Sequence, residues 1–441
     1  MKSFLLSLIG VITICISFNA LAQEENKEVP SQLTPEQLYY TGLSVYNKGD
    51  YELAFRIISN AANMDLAEAQ VKLGVMYLTG KGVGKDYGMA QKWFQKAAEN
   101  SSVTAINNLG FMYCSGFGVK QDFTKAAKLY REVAEKGDAD GLFGLALMYM
   151  RGEGMEKNYE EALRLFRLSA DKGQLEAQYY VGYFYRYGRG VEKDFKEAED
   201  WFRKAAACGH ALAQTELGIM YVKSIGVQKD YAQGVEWLRK AADQGASEAQ
   251  FNLGCMYQDG IGVEKDYAVA EEYFRKAAEQ GHAVAQNNLG MQYRRGVGVP
   301  KDYGEAKKWL EKSADQGNAS AMNNLAWMYE NGYGVEKNPS KAFELYGMAA
   351  ESGLVAVYNN IGWLYEYGIG VEQDYQKAMK SYLKAAEQGL AEAQYNLGYL
   401  YHHGEGVTKD LDIARFWYGK AAAQGYKTAQ EVLKELDDAG H

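Results

Sequence analysis

Ala67 to Ser102 reads AEAQVKLGVMYLTGKGVGKDYGMAQKWFQKAAENSS, and this 36-residue pattern occurs ten times back to back, reaching Tyr426 without an insertion or deletion. A fixed period of this length marks a repeat architecture, in which each copy buries its apolar face on its neighbours. Numbering each repeat from 1 at Ala67, positions 3, 7, 10 and 11 are apolar, as in Ala69, Leu73, Met76 and Tyr77. Such three-and-four spacing is one face of a helix about three turns long. Position 11 is Tyr in all ten copies, and position 8 is Gly in eight and Ala in two, Ala146 and Ala326. A Gly inside a helix costs about 1 kcal/mol relative to Ala. Its repetition therefore predicts close approach of a second helix.

Glycines then stop the first helix. Position 14 is Gly except at Ser224, position 16 is Gly in every copy, and an apolar Val or Met follows. The resulting G-x-G-V is not a phosphate loop, because no strand precedes it and no Lys-Ser/Thr pair follows. Position 20 is Asp or Asn throughout, the residue types that cap a second helix. Glu161, Glu197, Gln233 and Glu305 are placed to complete capping boxes. That second helix carries a small residue at position 24 and a large apolar pair at 27 and 28, as in Trp93-Phe94 and Trp201-Phe202. Gly at position 35 ends it in nine copies. The predicted fold class is all-α, a solenoid of antiparallel helix pairs.

The flanks differ. Lys2, the apolar run from Phe4 to Phe18 and Ala20-Leu21-Ala22 predict a signal peptide over residues 1–22, cut before Gln23. The run is short for a membrane span, and bulky Ile14 before Cys15 argues against a lipoprotein signal. Cleavage is expected to leave a chain with no membrane insertion and three cysteines, Cys114, Cys208 and Cys255. They share no recurrent spacing, which predicts buried or half-buried free thiols rather than a disulfide framework. A formal net charge of −9 argues against nucleic acid and anionic lipid as partners.

The pattern A-x-A-Q-x-x-L-G-x-x-Y…G-x-G-V-x-x-D-x-x-x-A-x-x-W-x-x-K-A-A-x-x-G resembles the Sel-one-like repeat (SLR) family, a relative of tetratricopeptide repeats, over Ala67 to Tyr426. The resemblance implies a right-handed superhelix, TPR-like, with the first helices lining its concave side. Residues 23–33 are then a flexible tail and 34–66 a TPR-like N-terminal capping repeat opened by Thr34-Pro35-Glu36-Gln37. Residues 427–441 form a C-terminal capping helix, where Lys434 and Asp437 replace the usual Gly and Tyr.

In tetratricopeptide arrays positions 2, 5, 6, 9 and 12 face the groove, and the resemblance carries this set over. Position 6 is Asn at Asn252, Asn288, Asn324, Asn360 and Asn396, with Asn108 earlier. Asn is a mediocre helix former whose carboxamide both donates and accepts. The ladder either holds an extended peptide backbone, as related arrays do, or bonds neighbouring helices to one another; the two roles are compatible. On the first reading, Asn324→Ala with Asn360→Ala removes partner capture and leaves melting unchanged. Trp327, Trp363 and Tyr399 at position 9, with Phe251 and Tyr395 at position 5, are candidate anchors or packing residues. Phe143 and Tyr179 extend position 5, and Asn287, Asn323 and Asn359 add amides. The candidate site is the groove from Phe251 to His403.

No cofactor, metal site or catalytic set emerges. His402-His403 are expected to diverge from a helix end, and nothing completes a metal site with them. Ser381-Tyr382-Leu383-Lys384 matches S-x-x-K, but no S-D-N or K-T-G accompanies it. The sequence thus predicts a monomeric, non-enzymatic scaffold for a protein or peptide partner, periplasmic or secreted from a Gram-negative-type bacterium. By resemblance its role is envelope signalling, assembly or host interaction. The alternative is an envelope enzyme of peptidoglycan or β-lactam chemistry.

Overall fold

The computed structural model describes residues 33–438, so the predicted signal peptide over residues 1–22, with Cys15, lies outside the described residues. So do the predicted tail up to residue 32 and the last three residues. The chain divides into two compact units, the first ending at Lys157 and the second beginning at Asn158. The N-terminal unit holds α1 (Pro35–Asn47), α2 (Tyr51–Asn63), α3 (Ala67–Thr79), α4 (Tyr87–Glu99), α5 (Val103–Ser115), α6 (Phe123–Glu135) and α7 (Ala139–Arg151). The C-terminal unit opens with α8 (Tyr159–Asp171), α9 (Leu175–Tyr187), α10 (Phe195–Ala207), α11 (Ala211–Lys223), α12 (Tyr231–Asp243), α13 (Ser247–Asp259), α14 (Tyr267–Glu279) and α15 (Ala283–Arg295). It continues with α16 (Tyr303–Ala314), α17 (Ala319–Asn331), α18 (Pro339–Glu351), α19 (Val357–Tyr367), α20 (Tyr375–Glu387), α21 (Ala391–His403), α22 (Leu411–Ala423) and α23 (Lys427–Asp438). No strand occurs among the described residues. Within each unit a first helix packs on the second helix of its own repeat and on that of the repeat before.

Small residues set how close the helices come. The alanines at positions 3 and 24 are fully buried, for example Ala249, Ala270, Ala285 and Ala306. Large position-28 side chains such as Phe94, Phe202 and Phe274 fill the space between them. A Cβ on the position-8 glycine would stand 2.6 Å from Phe94 at Gly74, 2.6 Å from Phe274 at Gly254 and 2.8 Å from Leu310 at Gly290. No real Cβ tolerates such contacts, so the helix-interior glycines are explained by the second helix pressing on them.

Position 16 carries a double demand. Gly262 and Gly334 have φ of 70° in the left-handed region. A Cβ there would also lie 2.5 Å from the Cβ of Tyr231 and Tyr303, which begin the second helix of the preceding repeat. The loop of each repeat is thus seated on its predecessor, which accounts for the invariance of this glycine. α19 starts two residues late in its repeat, at Val357. Val357 stands where Ala or Gly occupies the other nine first helices, and the open first turn accommodates its bulk.

The position-20 Asp and Asn side chains cap the second helices, each accepting from a backbone N–H early in the helix, as Asp230 does from Gln233 at 2.9 Å. The expected capping boxes at Glu161, Glu197, Gln233 and Glu305 do not form; the complete box is at Thr34 and Gln37. The reason is a longer-range bond. The cap N–H that a box would satisfy already donates to the position-11 tyrosine carbonyl, as Asp194 to Tyr185, Asp230 to Tyr221 and Asp302 to Tyr293. Freed from the cap, Glu161 pairs with Arg164 and Glu305 with Lys308. At the C-terminus α23 buries Ala429 and Leu436 and leaves Lys434 exposed. Replacement of Gly290 by Leu should lower unfolding free energy by about 1–3 kcal/mol or more through overpacking against Leu310 and the Ala306 carbonyl. Urea denaturation measures it; unchanged stability would refute the close approach.

Candidate functional site

The recurring polar residues of the repeat are largely occupied by the stack itself. Position-4 glutamines lie buried at the start of the first helix. Gln250 donates to the Ala242 carbonyl at 3.2 Å and accepts from Gln280 at 2.8 Å. Gln214, Gln286 and Gln394 repeat this arrangement. Position-29 arginines bond the invariant tyrosine of the next repeat, as Arg239 does the Tyr257 hydroxyl at 2.6 Å. These contacts are structural, and sequence reading had given the glutamines no role although their recurrence was visible.

The asparagines form an inter-repeat ladder. Asn324 Nδ2 donates to Asn287 Oδ1 at 2.9 Å, Asn360 to Asn323 at 3.3 Å, and Asn396 to Asn359 at 2.9 Å. Each rung runs from position 6 back to position 5 of the preceding repeat. Asn288 instead accepts from its neighbour Asn287. Asn108 and Asn252 fold back onto their own helix carbonyls, Thr104 and Glu248. The helix-bonding role is therefore realised at three positions, while the Oδ1 atoms of Asn324, Asn360 and Asn396 take no part in the rungs. Where the ladder is interrupted, Arg186 of α9 pairs with Glu216 of α11, an ion pair whose side chains are mostly buried.

The aromatics separate into two groups. At position 5, Phe251 stacks on His282 at 4.7 Å and leans on Phe274, while Tyr395 packs on Tyr426 and Tyr418. Tyr179 does the same with His210 and Phe202, and Phe143 is buried. These rings staple the turn into the next repeat rather than stand open. Burial also holds the His210 imidazole neutral, with its pKa pulled down to about 4. At position 9 the rings are more open. Trp327 is half-buried beneath the Arg294 guanidinium, 4.5 Å from its centroid, whereas Trp363 is 38% exposed. Tyr367, one turn on from Trp363, is more exposed still, with the two rings 5.4 Å apart. Tyr399 packs at a tilt on His403, with the ring centroids 4.2 Å apart.

Position 12 carries carboxylates that the sequence reading passed over. Glu330 accepts from the Tyr346 hydroxyl at 2.7 Å, and Glu366 from Tyr382 at 2.5 Å. Burial raises the Glu366 pKa, and the hydrogen bond from Tyr382 partly offsets it. Burial first, then Glu366, pushes the neighbouring Tyr367 hydroxyl up to about 12.

The remaining chemistry does not converge. Ser381 donates to the Lys377 carbonyl at 2.8 Å, and the Lys384 ammonium lies over the Tyr358 ring at 4.5 Å. The S-x-x-K pair thus points apart. His402 and His403 do not diverge as expected; their rings stack at 4.6 Å, because His403 packs on Tyr399 and His402 turns toward Tyr418. No group of three metal-ligating side chains occurs among the described residues. Cys114 and Cys255 are half-buried, but Cys208 is exposed, since it takes the helix-end position that Lys172 and Gln244 fill in the adjacent repeats. An open cleft of about 750 Å³ lies in the N-terminal unit against residues 119–125 and Gly154, away from the predicted site. No helix among the described residues is long and apolar enough to cross a membrane.

Paired helices stacked by repeat, with variable residues on the first-helix face, define a scaffold that fits a protein-interaction role. The chain belongs to the Sel1 repeat family, whose model matches residues 67–102, 103–138, 139–174, 175–210, 211–245, 247–282, 283–318, 319–354, 355–390 and 391–426. Among solved structures it is similar to c5321, a protective antigen present in uropathogenic Escherichia coli strains displaying an SLR fold. That match has a TM-score of 0.73 at 34% identity, over 93% of this chain and 91% of that chain. A Sel1 repeat protein from Oxalobacter formigenes matches at 33% identity over 74% and 93% respectively, with a TM-score of 0.52. None of the curated proteins matches.

The rungs change the expectation for the asparagines. Asn324→Ala with Asn360→Ala should lower unfolding free energy by about 1 kcal/mol per rung, since each removes a half-buried hydrogen bond between repeats. Urea denaturation reads this, and an unchanged midpoint would show that the rungs contribute nothing.

Proposed function

We propose that this protein is an exported, non-enzymatic scaffold that binds an extended segment of a partner protein across its first-helix face, chiefly along α13 to α21. The observation that carries the reading is the division of labour on the first helices. The recurring Gly, Ala, Gln and Tyr residues are engaged in stacking. Trp363, Tyr367 and the Oδ1 atoms of Asn324, Asn360 and Asn396 stay outside the rungs and the stacking contacts. Rigid, half-exposed aromatics beside amides suit a peptide backbone with apolar or flat side chains. Export follows from residues 1–22, and likeness to a protective antigen of E. coli supports a place in the periplasm or outside the cell.

The test begins with protein recovered from the periplasm or medium of an expressing Gram-negative host, which should start at Gln23. Peptides selected on it from a random display library should bind full-length protein but lose about tenfold or more in affinity with Trp363→Ala and Tyr399→Ala, at unchanged melting temperature. Selected peptides indifferent to both substitutions would place binding elsewhere. An unprocessed N-terminus would remove export.

A further inference from the structure

The repeat contains its own example of what an indole on this face accepts. The Arg294 guanidinium, from position 12 of one repeat, lies 4.5 Å from the ring centroid of Trp327 at position 9 of the next. Trp363 has the same register one repeat later, but the position that would send it a cation is Glu330. That carboxylate is held by the Tyr346 hydroxyl, and no Lys or Arg of the described residues stands over Trp363. The surroundings are one-sided in charge. α17, α19 and α21 contain no Lys or Arg, yet include Glu330, Glu366 and Glu392. Glu366 is 5% exposed and has hydrogen-bonding neighbours in Tyr382 and Tyr367, and the lone pairs these two hydroxyls do not use remain on a carboxylate in a poorly solvated place. Tyr367, Tyr399 and Glu405 lie close enough to Glu366 to share its electrostatic field.

We infer that Trp363, Tyr367 and Tyr399, backed by Glu366 and Glu405, form a receptor for an arginine side chain of the partner polypeptide. Its guanidinium stacks on the Trp363 indole as Arg294 stacks on Trp327, and its N–H groups face the carboxylates. Arginine is favoured over lysine because its planar, weakly hydrated cation both stacks and donates in fixed directions. Carboxylates beside the ring add a charge-assisted component that a neutral side chain does not gain. This inference rests on the first-helix face being the binding face, and it specifies the chemistry of one subsite there.

Fluorine NMR of the full chain labelled with fluorotryptophan tests it, with the Trp363 signal assigned through Trp363→Phe. Titration with acetyl-Ser-Gly-Arg-Gly-Ser-amide should shift the Trp363 signal saturably and leave the covered Trp327 signal in place. The same peptide with citrulline for arginine should bind about tenfold more weakly or not at all. Glu366→Gln and Glu405→Gln should each weaken the arginine peptide several-fold. If Glu366→Gln disturbs folding through Tyr382, Glu405→Gln in the loop after α21 still decides. An unmoved Trp363 signal at millimolar peptide, or equal shifts with citrulline, overturns the inference. Library-selected peptides that lack arginine yet lose binding with Trp363→Ala would leave the proposed scaffold role standing and overturn this subsite alone.

Discussion

Everything in the stack follows from how closely its backbones approach, and glycine sets that distance. At position 16 the chain must adopt positive φ and touch the first residue of the preceding repeat's second helix, so any side chain is excluded twice over. At position 8 the ring or branched side chain from position 28 lies where a Cβ would be. The first contact fixes how one repeat sits on the previous one; the second fixes the spacing of the two helices inside a repeat. Given both, the recurring glutamines and arginines acquire partners at a constant offset along the chain. Columns of identical interactions result, such as the glutamine amides on the helix-end carbonyls and the arginines on the tyrosine hydroxyls.

Most of this architecture is legible in the sequence. The period, the glycine stops and the position-20 caps are local signals, and each acts within its own helix or turn. What escaped reading depends on contacts between residues distant in sequence. The capping boxes failed because the Asp194 and Asp302 N–H groups already bond tyrosine carbonyls nine residues earlier, a partner that cap rules do not consider. The asparagines left two roles open because the offset of 37 residues that joins Asn324 to Asn287 is invisible within one repeat. Phe251 looked like an anchor from its position alone, yet its ring is closed by His282 from the next turn. Glu366 and Tyr367 drew no notice, since a lone carboxylate and a lone tyrosine near a helix end carry no motif.

The stack also explains why function concentrates on so few residues. On α19 two large rings, Trp363 at position 9 and Tyr367 one turn further on, remain open. Over α17 and α19 the position-9 rings share their helices with the half-buried Glu330 and the buried Glu366, and the cation that covers one of them is Arg294. Trp327, covered by the Arg294 guanidinium and the Tyr333 ring, and Trp363, left more open one repeat later, differ in surroundings at position 12, where Arg294 becomes Glu330, and at the loop position where Tyr333 becomes Ile369.

Hydroxyl-radical footprinting of the free, full-length protein with readout by mass spectrometry measures the openness of that face most directly. Trp363 and Tyr367 should oxidise rapidly, while Tyr346 and Tyr382, both nearly sealed in the stack, should resist. Protection of Trp363 equal to that of Tyr382 would contradict the account.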